Sequence, residues 1–153
     1  EEPEYTFKKF QNAEIQIGKI QVSAALKIVN DSDHYEEIWK ALSKFDEPTY
    51  LHQVTELVNG KVITHNDLPV ILKEKKPFSE LRAHFHVPIF LEKFDHLQST
   101  QDHILKVVSY LKKHAISEHL EIETYTWDVL PQALKKELSD SIIRELDWLK
   151  NRL

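Results

Sequence analysis

The sequence predicts one α/β domain over residues 1–153, built on a mostly parallel sheet. Three observations carry that prediction. Strand-like runs alternate with helical patterns in the order strand, helix, hairpin, short helix, strand, helix, strand, helix. Neither an internal repeat nor a low-complexity linker interrupts the order. Three of the runs, at 19–23, 81–87 and 120–126, place imidazole, carboxylate, amide or hydroxyl side chains on one face and apolar ones on the other, because successive strand residues point to opposite sides.

The elements follow in order. Lys19-Ile20-Gln21-Val22-Ser23 separates Lys19, Gln21 and Ser23 from Ile20 and Val22 and reads as the first strand. Asp33-x-x-Glu36 has capping-box spacing and opens an amphipathic helix through Tyr35, Ile38, Trp39, Leu42 and Phe45, which Asp46-Glu47-Pro48 ends. Residues 50–58 read as a strand, and Asn59-Gly60 before Lys61-Val62-Ile63-Thr64 is a two-residue hairpin signal, so this pair is antiparallel. Asn66-Asp67-Leu68-Pro69 caps a short helix through Lys75, since Asp and Asn suit the N-cap and proline the first turn. Ser99-Thr100 caps a helix with Ile104, Leu105, Val108 and Leu111 on one face. Beyond Pro131 the chain reads helical to its end, with a stripe of Leu138, Ile142, Ile143, Leu146, Leu149 and Leu153 and a break at Ser139 or Asp140.

Composition narrows the function classes. At 41% apolar and 29% charged residues the chain has the make-up of a globular domain with one core. A net charge of −5 and no cluster of Lys and Arg with interleaved aromatics argue against a nucleic-acid backbone as partner. No apolar run approaches the ~20 residues that span a bilayer, and Glu1-Glu2-Pro3-Glu4 has neither the basic nor the apolar region of a signal peptide, so a cytoplasmic location is expected. With no cysteine, any metal would be held by nitrogen and oxygen ligands. The chain holds no methionine, which fits a processed or truncated portion of a longer protein.

The chemistry sits on two runs. Arg82, His84 and His86 share one face of Leu81-Arg82-Ala83-His84-Phe85-His86-Val87. Glu121, Glu123, Tyr125 and Trp127 share one face of the run from Leu120. Imidazole and carboxylate are the residue types of metal ligation and of acid/base work. An antiparallel sheet with one face in water produces the same alternation, and that reading stays open.

Five segments together resemble the xylose-isomerase-like TIM-barrel proteins, in particular the EboE-type metabolite-traffic proteins: 18–26, 47–53, 84–90, 121–131 and 141–146. The resemblance implies the C-terminal part of a (β/α)8 barrel, the last three or so strand-helix units with the Asn59-Gly60 hairpin inserted, because a full barrel takes ~250 residues. The three runs would be its sixth, seventh and eighth strands. It implies a small metabolite bound at the C-terminal mouth of the barrel. Alternatively, it implies a sugar or sugar-phosphate isomerase or epimerase using a divalent metal, Zn, Mn or Co, with His86 and Glu123 as ligands and catalytic residues. Arg82, His84, Glu121, Tyr125, Gln21 and Ser23 would contact the ligand. The chain departs from the enzymes' pattern in two places: Gln21-Val22-Ser23 stands where they have an Asp, and Val87-Pro88-Ile89-Phe90 where they have a Glu and an Arg.

Alternatives remain for each residue. His84 and His86 fit hydrogen-bonded interior positions as well as ligation; Glu123 fits a ligand, a general base or the ionic partner of Arg82. Glu121 lies nearer the strand start and reads as structural, and His52 faces the same cavity. Trp39 and Trp148 fall on helix stripes and read as core. A non-enzymatic interaction module, using the amphipathic C-terminal helix, is the third functional reading. Self-association, or association with a preceding part of the barrel, would cover the sheet edge.

Overall fold

The computed structural model describes residues 2–123 and 127–153. A helix α1 (Pro3–Asn12), with proline in its first turn, precedes β1 (Ile20–Val22) and β2 (Ala24–Val29). A 3-10 turn at Ser32–His34 leads into α2 (Tyr35–Leu42), and a second at Ser43–Phe45 ends it. The hairpin β3 (Val54–Val58) and β4 (Lys61–His65) follows, then α3 (Leu68–Glu74), β5 (Glu80–Val87), the short pair β6 (Lys93–Phe94) and β7 (Leu97–Ser99), and α4 (Gln101–Leu111). β8 (Leu120–Ile122), a 3-10 turn at Trp127–Val129 and α5 (Leu138–Lys150) complete the order.

The α/β composition is as expected, but the sheet is not mostly parallel. Six strands pair in the order β4-β3-β5-β2-β7-β6, every contact antiparallel. A separate two-stranded sheet joins β1 to β8 in parallel, Ile20 opposite Leu120 and Val22 opposite Ile122. The expected set of three neighbouring parallel strands is therefore corrected: β1 and β8 pair in parallel, whereas β5 lies antiparallel to β2 and β3 in the other sheet. No closed barrel forms among the described residues.

Tight hairpins account for two of the antiparallel pairs, β3/β4 and β6/β7. Asn59 and Gly60 both take positive φ, 50° and 76°, and make the tight turn expected of the hairpin. Along β5, Leu81, Ala83, Phe85 and Val87 are buried, while Arg82, His84 and His86 point the other way and keep access to solvent. That is a sheet covered on one face only.

The covered face holds the core. Ile38, Trp39 and Leu42 of α2 and Leu68 and Ile71 of α3 join Leu26, Ile28, Val54, Leu81 and Phe85 in one buried cluster. Each fully buried Leu, Ile or Phe contributes ~1.5–3 kcal/mol relative to an exposed one. Asp31, rather than Asp33, caps the entry to α2, its carboxylate accepting the Asp33 N–H at 3.0 Å. Asp67 caps α3 by accepting from Leu68 N–H at 2.9 Å, and Lys75 ends it in the left-handed region at φ 44°.

Three local expectations change. The segment before α4 carries the β6/β7 hairpin rather than only a loop. Residues 1–18, for which no element is read from sequence, contain α1, whose Phe7 stacks on Tyr110 of α4 at 5.2 Å. The C-terminal helix starts only at Leu138. It turns Ser141, Glu145 and Leu149 inward, leaving Leu138, Ile143, Leu146 and Leu153 of the predicted stripe exposed.

Candidate functional site

β1 and β2 form one extended run interrupted at Ser23, and it organises the candidate site. β8 runs parallel to the first half and its continuation is held by the bond from Glu123 N–H to Val22 C=O, 3.1 Å. β5 runs antiparallel to the second half and ends with Val87 opposite Ala24. The C-terminal ends of β5 and β8 therefore meet beside Ser23. There Glu123 Oε2 lies 3.7 Å from His86 Nδ1. His84 and His86, two residues apart on one face, bring their Nε2 atoms to 3.1 Å.

Cross-strand neighbours complete the open face. Ala25 stands opposite His86, and Lys27 and Thr55 flank Arg82 from the two adjoining strands. Directly opposed residues share a face, so Lys27, Arg82, His84 and His86 form a basic row. The methyl of Ala25 leaves room beside the imidazoles. Arg82 donates Nε–H to Glu80 at 2.7 Å, and Lys27 pairs with Asp102, in the first turn of α4, at 3.0 Å.

Burial holds His86 below the ordinary imidazole value. The nearby His84 acts in the same direction and Glu123 against it. His103 on α4 is likewise lowered, by burial and by the charge of Arg82.

The other sequence-predicted residues scatter. Glu121 is exposed and engaged by Lys19. Gln21 and Ser23 line a small apolar cleft of about 170 Å³ with Ile104, Val108 and Leu120, and neither His84 nor His86 is among its described lining residues. Tyr125 lies outside the described residues. His52 does not face the open side: it is buried under the sheet against Phe85, ring centroids 4.6 Å apart, with Nε2 2.7 Å from Glu47 Oε1. That correction follows from the loop at 47–53, which Glu47 staples by accepting Thr49 N–H at 2.7 Å and Tyr50 N–H at 3.1 Å.

Sequence reasoning missed two groups. Lys27 and Asp102 wall the open face, and the alternation of Leu26, Lys27 and Ile28 was a signal for the first. Glu145 is a carboxyl only 2% exposed, whose Oε1 accepts from Ile89 N–H at 2.9 Å while Gln101 Nε2 donates to Ile89 C=O at 2.7 Å. Together they clamp the chain three residues past His86. Burial raises Glu145 to about 7, although the bond from Ile89 pulls the other way. A glutamate within an apolar stripe gave no signal of this.

For metal ligation, no group of three or more His, Asp or Glu side chains is arranged to hold an ion among the described residues. The available donors come in pairs: His86 Nδ1 with Glu123 Oε2, and the two Nε2 atoms.

No protein-family model matches the chain, and neither does any curated protein or solved structure. No helix among the described residues is long and apolar enough to cross a bilayer.

Proposed function

We propose that the open face of β5, at its junction with β8, binds a small anionic metabolite. One observation carries this reading: two strands distant in sequence converge so that Arg82, His84, His86 and Glu123 share a solvent-accessible face flanked by Lys27. A guanidinium carries terminal N–H groups besides Nε and pairs bidentately with carboxylate or phosphate. The two imidazoles add ring nitrogens that donate or accept according to tautomer. Glu123 disfavours a second negative group at the His86 end, so the anion sits toward Arg82.

The test is titration of the full chain with inorganic phosphate and with neutral glycerol, followed by the amide signals of 80–87 in heteronuclear NMR. Phosphate should shift them and glycerol should not. Replacing Arg82 by Ala should weaken phosphate binding by about tenfold or more, the worth of a hydrogen bond to a charged group. Equal binding by the Arg82→Ala protein, or shifts confined to other elements, would overturn the proposal.

A xylose-isomerase-like protein of the EboE metabolite-traffic kind, cytoplasmic and forming the last units of a barrel, draws support from the parallel β1/β8 pair alone. β5, which would be its seventh strand, would have to leave β2 and β3. The isomerase or epimerase alternative, with His86 and Glu123 as catalytic pair and metal ligands, is favoured by their 3.7 Å contact. It requires proton abstraction from a sugar or polyol phosphate, which loss of deuterium from a labelled substrate would report. An interaction module or self-association would use the exposed Leu138, Ile143 and Leu146 of α5, and concentration-dependent sedimentation reads that out.

A further inference from the structure

We infer that the anion bound at this face is a monocarboxylate carrying one compact apolar group, which sits in the cleft between β1, β8 and α4 while the carboxylate turns toward Arg82. The inference rests on the proposed anion site and deepens it by naming the other half of the ligand.

The cleft sets the size and character of that half. Ile20 and Val22 of β1, Leu120 of β8 and Ile104, Val107 and Val108 of α4 line it, around a volume of about 170 Å³. A cavity of ~150 Å³ walled by aliphatic side chains stays dry and takes up benzene, so this one suits a group of about six carbons. Sites for drug-sized ligands start at ~300 Å³, and a long acyl chain finds no room here. Val22, Ile104 and Val108 are buried, but Ile20, Val107 and Leu120 are only half-buried. An apolar group in the cleft would remove those three from water.

Two boundaries join the cleft to the basic row and fix which way the ligand points. At the first, Val22 and Ser23 line the cleft, Val22 C=O accepts Glu123 N–H at 3.1 Å, and the next residue, Ala24, stands opposite Val87 at the end of β5. Glu123 repels a carboxylate there. At the second, the lining residue His103 adjoins Asp102, whose carboxylate lies 3.0 Å from Nζ of Lys27, the cross-strand neighbour of Arg82. The guanidinium is near enough to act on the His103 ring: burial and the Arg82 charge hold it below the ordinary imidazole value, with Lys106 adding to them and Asp102 and Glu2 opposing. The carboxylates at this end already have cations, Asp102 that of Lys27, Glu80 the Arg82 Nε–H and Glu2 that of Lys106. Arg82 therefore presents its terminal N–H groups to a ligand carboxylate at the His103 end. A second charge at the far end of the ligand would be buried among aliphatic side chains without a partner, which restricts the ligand to one.

The experiment is a titration of the full chain with phenylacetate, followed by amide and methyl NMR. Acetate, which lacks the ring, and benzyl alcohol, which lacks the charge, are the comparisons. Phenylacetate should shift the amides of 80–87 and show nuclear Overhauser contacts from its ring to the methyls of Val107, Val108 and Leu120. Acetate and benzyl alcohol should each bind at least about tenfold more weakly, one losing apolar burial and the other a charged hydrogen bond. Val107→Phe fills the cleft from α4 and Ile20→Phe from the opposite wall. Each should weaken phenylacetate by about tenfold or more, the apolar burial it displaces, and leave phosphate binding as it was, which also shows that the variant is folded. Arg82→Ala should weaken both ligands. Absence of ring-to-methyl contacts at millimolar phenylacetate, benzyl alcohol binding as tightly as phenylacetate, or unchanged phenylacetate affinity in both filled variants would overturn the inference. Phosphate still shifting 80–87 alongside any of these results keeps the anion site and removes only its apolar extension.

Discussion

Replacing Glu145 by Gln isolates the effect of one buried ionisation. The carboxyl is 2% exposed, accepts one backbone N–H from Ile89 and has no hydrogen-bond partner for Oε2 among the described residues. Its value rises from an ordinary 4.5 to about 7 because burial penalises the charged form. Between those two values the folded protein holds a proton that the unfolded chain has released. Stability therefore falls as pH rises from about 4.5 to about 7, and stays lower above that. The gap between the two values sets a ceiling of roughly 3 kcal/mol on the loss, reduced by any water that reaches the carboxylate. Glutamine keeps the acceptor for Ile89 but cannot ionise. It also buries an amide N–H₂ that needs an acceptor, a pH-independent cost of ~1–3 kcal/mol. The informative quantity is therefore the change with pH, not the absolute stability. Urea unfolding followed by tryptophan fluorescence at pH 4.5, 6, 7 and 8 measures it, and histidines shared by both proteins cancel in the difference. The variant should gain on the natural protein by up to about 3 kcal/mol between pH 4.5 and 8. A difference that stays constant across that range would refute the claim that Glu145 is buried and protonated in the folded state.

Two further outcomes follow from local geometry. Gly60→Ala puts a Cβ on a residue at φ 76°, where open space around it removes no strain, so the hairpin should lose about 1 kcal/mol in urea unfolding. Glu47→Ala removes the acceptor for Thr49, Tyr50 and His52 and should cost roughly 2–3 kcal/mol at pH 7. For Glu47, burial acts to raise the carboxyl, but the hydrogen bonds from Thr49, His52 and Tyr50 prevail and hold it below 4.5. Its stabilisation is thus present above pH 4.5 and should be lost as pH falls through the lower folded value, so the gap between natural and variant protein should close in acid.

What the sequence disclosed depended on how local each property was. The two faces of β5 were legible because alternation needs only one strand: Arg82, His84 and His86 do share a face, and Leu81, Phe85 and Val87 do fill the core. The hairpin at Asn59-Gly60 was legible because both turn residues had to take positive φ. Strand partners were not, since nothing in a period of two says which neighbour a strand will find. The C-terminal helix shows a third kind of limit. Its apolar stripe suggested a buried face of leucine and isoleucine, yet the helix docks through Ser141, Glu145 and Leu149. Ile89 N–H follows the end of β5, outside the sheet ladder, and needs an acceptor; Glu145 supplies it. A demand for hydrogen bonding in one segment thus set the orientation of another some 56 residues away, which no periodicity within the helix records.

The meeting of His86 and Glu123 follows from the way the strands on either side of Ser23 are joined. In a barrel, parallel neighbouring strands bring their C-terminal ends to one rim, and that logic put the two residues together. Here the same ends meet because β1 and β2 are two halves of one extended run. A parallel strand on the first half and an antiparallel strand on the second point at each other and stop at Ser23. The difference has a chemical consequence. A barrel rim would set both residues around a central axis, facing a shared ligand from two sides. The end-to-end arrangement instead sets Glu123 behind one nitrogen of His86 and leaves the other nitrogen to His84. Glu123 thereby approaches His86 Nδ1 at 3.7 Å, beyond hydrogen-bond length, while the Nε2 atoms of His84 and His86 lie 3.1 Å apart.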